Sequence, residues 1–275
     1  MDLIRAHSIN YLSRILNDPS LNKEEKLLDA FKKCKEKILN VTPTGMILPK
    51  KDTSLEYNLL LRSWYSAIKN LDIFEYLENC HTPGHLRVKW PLPVQKDLDR
   101  PRHAPEEMHF DSWSGYSSHG CTFLLGVLGD TEKNRIRFFE PNDYFDEAWL
   151  KKDSKPSNEI LNNCYSSIDA KPKYGQIAIL DTCTLHQTYR ESKSDIRFSI
   201  DNIFRTKIKL STNEFIETDR KNELTDVNLL SELGSECMYL CYHLIEEKKD
   251  TNGGAIDPTT FKFVQRKIEN EVINA

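Results

Sequence analysis

The segment DIRFSIDNIFR, residues 195 to 205, sets apolar and polar side chains in alternation: Ile196, Phe198 and Ile200 on one side, Arg197, Ser199 and Asp201 on the other. Successive side chains of an extended chain point to opposite faces, so this period of two predicts a strand with two unlike faces. HLRVKW repeats the pattern, with Leu86, Val88 and Trp90 on one face and Arg87 and Lys89 on the other. CTFLLGVLGD, RIRFFEP and GQIAILD read as further short strands, the last of them buried. Gly, Asn and Asp turns between strands of this length predict a barrel or a sandwich.

The flanks have a different period. In LIRAHSINYLSRIL the residues Leu3, Ile4, Leu12, Ile15 and Leu16 recur at helical spacing. Asn22 with Glu25, and Thr53 with Glu56, look like capping boxes for two more amphipathic helices. HTPGH (81 to 85) is a turn that ends this part, and PLPVQKDLDRPRHAPEE is a Pro-rich loop. Near the far end, SELGSECMYLCYHLIEEK puts Leu233, Cys237, Leu240, Cys241 and Leu244 on one stripe, which either covers the sheets or makes an oligomer contact. The expectation is a single domain over 1–275. Residues 1–80 form a helical N-terminal part, 81–210 a mainly β core, and 211–275 a helical C-terminal extension.

The chain has 275 residues, enough for a substantial core, with 39% hydrophobic and 29% charged residues. Its net charge of -4 gives no support for a nucleic-acid partner. No apolar run is long enough to span a membrane, and the N-terminus lacks the apolar core of a signal peptide. The seven cysteines form no CxxC, so the reading is buried free thiols in a reducing cytoplasm.

Chemistry enters at MHFDSWSG, residues 108 to 115. His109 and Asp111 are two apart, so on a strand they share a face and can converge on one ion. The pair alone is weak evidence. His186, just after GQIAILD, supplies a third ligand type. Two His and one carboxylate on one side of a metal leave the other side open, the donor set suited to non-haem Fe(II). On the next strand Arg197 and Ser199 form a guanidinium fork beside a hydroxyl, which fits a buried carboxylate.

This ordered set, HxD, a distal His, then RxS, resembles the Fe(II)/2-oxoglutarate-dependent dioxygenases over residues 85 to 206. The resemblance implies a double-stranded β-helix, or jelly roll, flanked by the terminal α-helices. It implies iron held by His109, Asp111 and His186. It also implies 2-oxoglutarate held by Arg197 and Ser199, and O2 as the oxidant. A looser likeness, carried by HFDSWSG and RFSIDNIF, is to oxygenases of aminoglycoside and surface-carbohydrate gene clusters. One departure stands out: RIRFFEPNDYF occupies the place where many small-molecule members carry a Pro-Gly-Ser-His-like turn. Halogenases of the superfamily replace the carboxylate ligand, so the presence of Asp111 implies hydroxylation or desaturation. The expected substrate is a small polar metabolite, sugar-like (an acidic sugar included) or amino-acid-like, with Trp113, Tyr116 and Arg102 as candidate contacts. The alternatives are hydroxylation of a protein or peptide side chain, and a noncatalytic jelly roll that binds a sugar or a metal.

Overall fold

The structure, a computed structural model, describes residues 1–34, 41, 45–47, 49, 53–81, 84–91, 107–168, 170–208, 224–227, 255–256 and 263–264. Three helices come first: α1 (Asp2–Ile15), α2 (Glu24–Cys34) and α3 (Ser54–Lys69). Strands β1 (Leu77–His81), β2 (His85–Lys89), β3 (Gly120–Gly129) and β4 (Asn134–Pro141) follow. After a short helix, α4 (Asn158–Cys164), come β5 (Tyr165–Ile168), β6 (Ile177–Asp181), β7 (His186–Arg190) and β8 (Arg197–Thr206). Three more short strands are β9 (Leu224–Asp226), β10 (Ala255–Ile256) and β11 (Phe263–Val264).

Besides the separate β10–β11 pair, two antiparallel sheets make up the described β part. The larger runs β6-β3-β8-β1-β9, with β2 also paired to β8, and the smaller runs β5-β4-β7. Strand β8 is the spine of the larger sheet: Ser199 lies opposite Gly126 of β3 and Arg87 of β2. Its even-numbered apolar residues, Phe198, Ile200 and Phe204, face the main core with Phe123, Leu125, Leu86 and Val88. The helices close this core with Tyr11, Leu12, Phe31, Leu60 and Trp64. Arg5 and Glu24 tie α1 to α2, and the second Glu24 oxygen accepts from Gly129 N at 2.7 Å, fixing the end of β3.

Several expectations change. Thr53 stands at the N-cap of α3 but its side chain makes no capping hydrogen bond, and α2 starts at Glu24. Strand β6 is mostly exposed rather than buried, with Ile179 at 45% exposure, because it is an edge strand paired only with β3. The polar stretch after β4 holds the short helix α4 and strand β5. Strand β7 has no clear sequence signal: HQTYR is short and carries only one Tyr among polar residues. The stripe of Cys237 and Cys241 and the Pro-rich loop lie outside the described residues. Of 211–275, the described pieces β9, β10 and β11 are extended. No helix of the described residues is long and apolar enough to cross a membrane.

Candidate metal centre

Met108 and Phe110 anchor in a second, smaller apolar cluster with Trp113, Leu150, Leu161, Tyr165 and Leu185. His109, between them, is turned to the opposite side. It is not part of a strand but a single bridge: His109 N donates to His186 O at 2.9 Å, and His186 N returns the bond to His109 O at 3.0 Å. Asp111 begins a 3-10 turn, Asp111–Ser114, instead of continuing an extended run. The motif's own residues build that turn. Ser112 donates to Leu150 O at 2.8 Å, and the Trp113 indole N–H donates to Trp149 O at 2.7 Å. Gly115, at φ 85°, ends it in the left-handed region that glycine enters without strain.

The three side chains converge. Ligand atoms of His109, Asp111 and His186 lie within 4.8 Å of one another. The imidazole centroids are 4.3 Å apart, and His186 Nε2 is 3.8 Å from Asp111 Oδ1. Each ring places Nδ1 2.9 Å from a backbone carbonyl, Glu107 O for His109 and Thr184 O for His186. A carbonyl can only accept, so each Nδ1 carries the proton and each Nε2 offers a lone pair, the usual outer arrangement of metal-binding His. Thr122 donates to Asp111 Oδ2 at 2.6 Å, which leaves Oδ1 for an ion. Two nitrogens and one carboxylate oxygen on one side match a six-coordinate divalent transition metal with open positions. The nearby Cys183 is not among the converging ligand atoms, and burial pushes its thiol up to about 12.

The same inner face of β8 carries Arg197 and Ser199, 2% and 0% exposed. Arg197 Nη1 donates to Asn134 O at 3.1 Å, while Arg197 Nε and Ser199 Oγ are buried without hydrogen-bond partners. Unmet buried polar groups are costly, and two on one strand face suit an anionic partner. Burial and the charge of Arg190 pull the Arg197 pKa down to about 10. An anionic ligand would relieve both effects. Asp201, next on this face, goes to Arg87 rather than to Arg197: Arg87 Nη2 donates to Asp201 Oδ1 at 3.1 Å and Arg87 Nε donates to Oδ2. Burial alone would raise the Asp201 pKa, but Arg87 and His85 outweigh it and hold the carboxyl well below its usual range.

The other candidates divide. Trp113 is 1% exposed and packs in the small cluster, with Lys155 Nζ 4.7 Å from its ring centre, so it supports the turn and does not line an open pocket. Tyr116 is partly exposed and meets His81 edge-on at 4.9 Å. Arg102 lies outside the described residues. Arg137 points away from the triad, stacked 3.4 Å over Tyr189 on the outer face of β4 and β7. Sequence reading does not assign roles to Thr122, Arg87 or Asn134. The signals exist: Thr122 precedes an apolar run, and Arg87 lies on the polar face of an alternating strand.

No protein-family model matches the chain, and no curated protein matches it. Among solved structures it is similar to the non-heme alpha-ketoglutarate-dependent carbocyclase SnoK from nogalamycin biosynthesis. The identity there is 12%, over 67% of this chain and 77% of that one, with a TM-score of 0.42. The non-heme alpha-ketoglutarate-dependent epimerase SnoN from the same biosynthesis matches at 11% identity and a TM-score of 0.31, over 55% of this chain. This chain spans 52% of that protein's length. EvdO2 from Micromonospora carbonacea var. aurantiaca, complexed with 2-oxoglutarate, matches at 13% identity over 68% of each chain, with a TM-score of 0.31. These likenesses are partial, and the residue roles rest on this chain's own geometry.

Proposed function

We propose that this chain is an Fe(II)/2-oxoglutarate-dependent dioxygenase with a double-stranded β-helix core, hydroxylating a C–H bond of a small polar metabolite. One observation carries the reading: a His-Asp-His donor set shares the inner face with a buried Arg and Ser, of which Arg197 Nε and Ser199 Oγ lack partners. A noncatalytic sugar- or metal-binding barrel has no need for a buried cation and hydroxyl left open beside its metal. Bound there, iron with 2-oxoglutarate and O2 would supply the oxidation of an unactivated C–H, with succinate and CO2 as coproducts.

The chain's own residues do the positioning. His109 and His186 would present Nε2, with their Nδ1 protons held on Glu107 O and Thr184 O. Asp111 would ligate through Oδ1 while Thr122 fixes Oδ2. Arg197 and Ser199 would take the far carboxylate of 2-oxoglutarate through charge-assisted bonds. The dry apolar wall behind Met108, Phe110 and Trp113 keeps water from the back of the centre. Tyr116 is the described candidate for a substrate contact.

The test is anaerobic addition of Fe(II) and then 2-oxoglutarate to the metal-free protein, followed by visible absorption. A weak charge-transfer band, absent in Asp111→Ala, is the expected result, with succinate formed once O2 is admitted. Iron bound without any band on adding 2-oxoglutarate would leave a noncatalytic metal protein.

A further inference from the structure

We propose that Arg190 is a second arm of the carboxylate clamp, so that a bound dicarboxylate has its far end held between the guanidiniums of Arg190 and Arg197. The inference rests on the function proposed above and adds a residue and a ligand preference to it. Strand β7 starts at the ligand His186, and alternation puts His186, Thr188 and Arg190 on one face. Since His186 Nε2 is 3.8 Å from Asp111, that face is the one turned to the triad. Arg190 therefore points inward, at the opposite end of the strand from the metal.

At that end one residue links the two arginines, through the strand register for Arg190 and through a hydrogen bond for Arg197. Asn134 is the register partner of Arg190 across β4 and β7, and its carbonyl accepts from Arg197 Nη1 at 3.1 Å. Asn134 is itself fixed by donating through Nδ2 to Lys89 O and Asp195 O, both at 3.0 Å. Nearby, Ser199 Oγ and Arg197 Nε remain buried without partners. The charge of Arg190 is close enough to disfavour the charged form of Arg197, and Arg87 adds to the effect. Arg197 is buried and Arg190 half-buried, so their like charges repel, and a carboxylate between them reverses the sign of that interaction. A single fork can satisfy one bidentate pair, whereas two arms give each carboxylate oxygen a charged donor. The end of the site is then built for a dianionic 2-oxo acid, and one lacking the second carboxylate leaves the repulsion between the two cations uncompensated.

The experiment uses the full chain loaded with Mn(II), titrated by calorimetry with 2-oxoglutarate and with 2-oxovalerate, which has the same chain length but no second carboxylate. Wild type, Arg190→Met, Arg190→Lys and Arg197→Met are compared, each first checked for unchanged circular dichroism and Mn(II) binding. The expected result is a drop of about ten- to hundredfold in 2-oxoglutarate affinity for Arg190→Met, on the scale of a lost charge-assisted bond. Affinity for 2-oxovalerate stays as in wild type, and Arg190→Lys recovers part of the loss. Arg190→Met binding 2-oxoglutarate like wild type, while Arg197→Met does not, would overturn the second arm and leave the proposed function standing. Equal weakening of both 2-oxo acids would also overturn it, placing the effect in the ligand strand. Wild type binding neither acid would remove the proposed function itself.

Discussion

The two faces of β8 are made by neighbouring residues and have opposite energetics. Phe198, Ile200 and Phe204 are buried against aromatic and aliphatic partners, and every contact on that side favours the folded state. Arg197 and Ser199, one position away, are equally buried yet hold polar atoms without partners. One face stabilises the sheet, and the other, on the proposed function, gives up part of that stability to a site that 2-oxoglutarate would complete. Burial on this strand is therefore not one quantity: the apolar face is finished on folding, and the polar face is finished on binding.

Disrupting the polar face at the metal should have the largest effect. Asp111→Ala is expected to lower turnover by at least about a thousandfold, since metal-ion catalysis supplies several kcal/mol, with circular dichroism unchanged. Residual activity near wild type would remove Asp111 from the ligand set. Damage to the apolar face should instead reach the fold: Phe198→Ala is expected to cost about 3–5 kcal/mol in urea unfolding. A loss much below that would mean the core collapses around the gap. Thr122→Val keeps the shape but removes the donor to Asp111, and metal affinity should fall about ten- to hundredfold, with Thr122→Ser restoring it. Metal titration of the three proteins reads this directly.

Two smaller effects separate the faces further. Ser199→Ala deletes a buried hydroxyl with no partner, so the ligand-free protein should be as stable as wild type or about 1 kcal/mol more stable. Its affinity for 2-oxoglutarate should nonetheless fall, and a lower melting temperature for the ligand-free variant would contradict the two-face account. Asp201 gives a pH signature. Its folded pKa lies below the ordinary value, so its contribution is complete above about pH 4 and fades as the pH falls further towards the folded value. The stability gap between wild type and Asp201→Asn should be full at about pH 7 and narrow on acidification to about pH 3. A gap independent of pH would mean that the charge of Asp201 is not what Arg87 and His85 recognise.

Much of this contrast is legible in the sequence, because alternation is a local signal. The strands β2 and β8 follow from period two, β3 and β4 from short apolar runs closed by turns, and the polar half of β8 points to Arg197 and Ser199. The order His109, Asp111, His186 is readable as a donor set, and the three do converge. The remainder depends on partners distant in sequence. That Asp111 leaves the extended run for a 3-10 turn is decided by Leu150, Trp149 and Thr182, which accept from Ser112 and Trp113. The burial of Trp113 follows from the same contacts, so an aromatic beside a ligand is a wall rather than a lining. Whether Asp201 pairs with Arg197 or with Arg87 turns on the register of β2 against β8, which no single segment encodes. Arg190 is hidden in the sequence because β7 is too short and too polar for its period to be seen.

The reciprocal backbone bonds between His109 and His186 have a consequence for the life of the protein. Two ligands from distant segments are locked side by side by peptide groups, whose pairing is indifferent to what the imidazoles hold. The backbone pairing by itself therefore sets the two imidazoles side by side. On the proposed function, iron would then enter a chain whose backbone already brings two of its donors together.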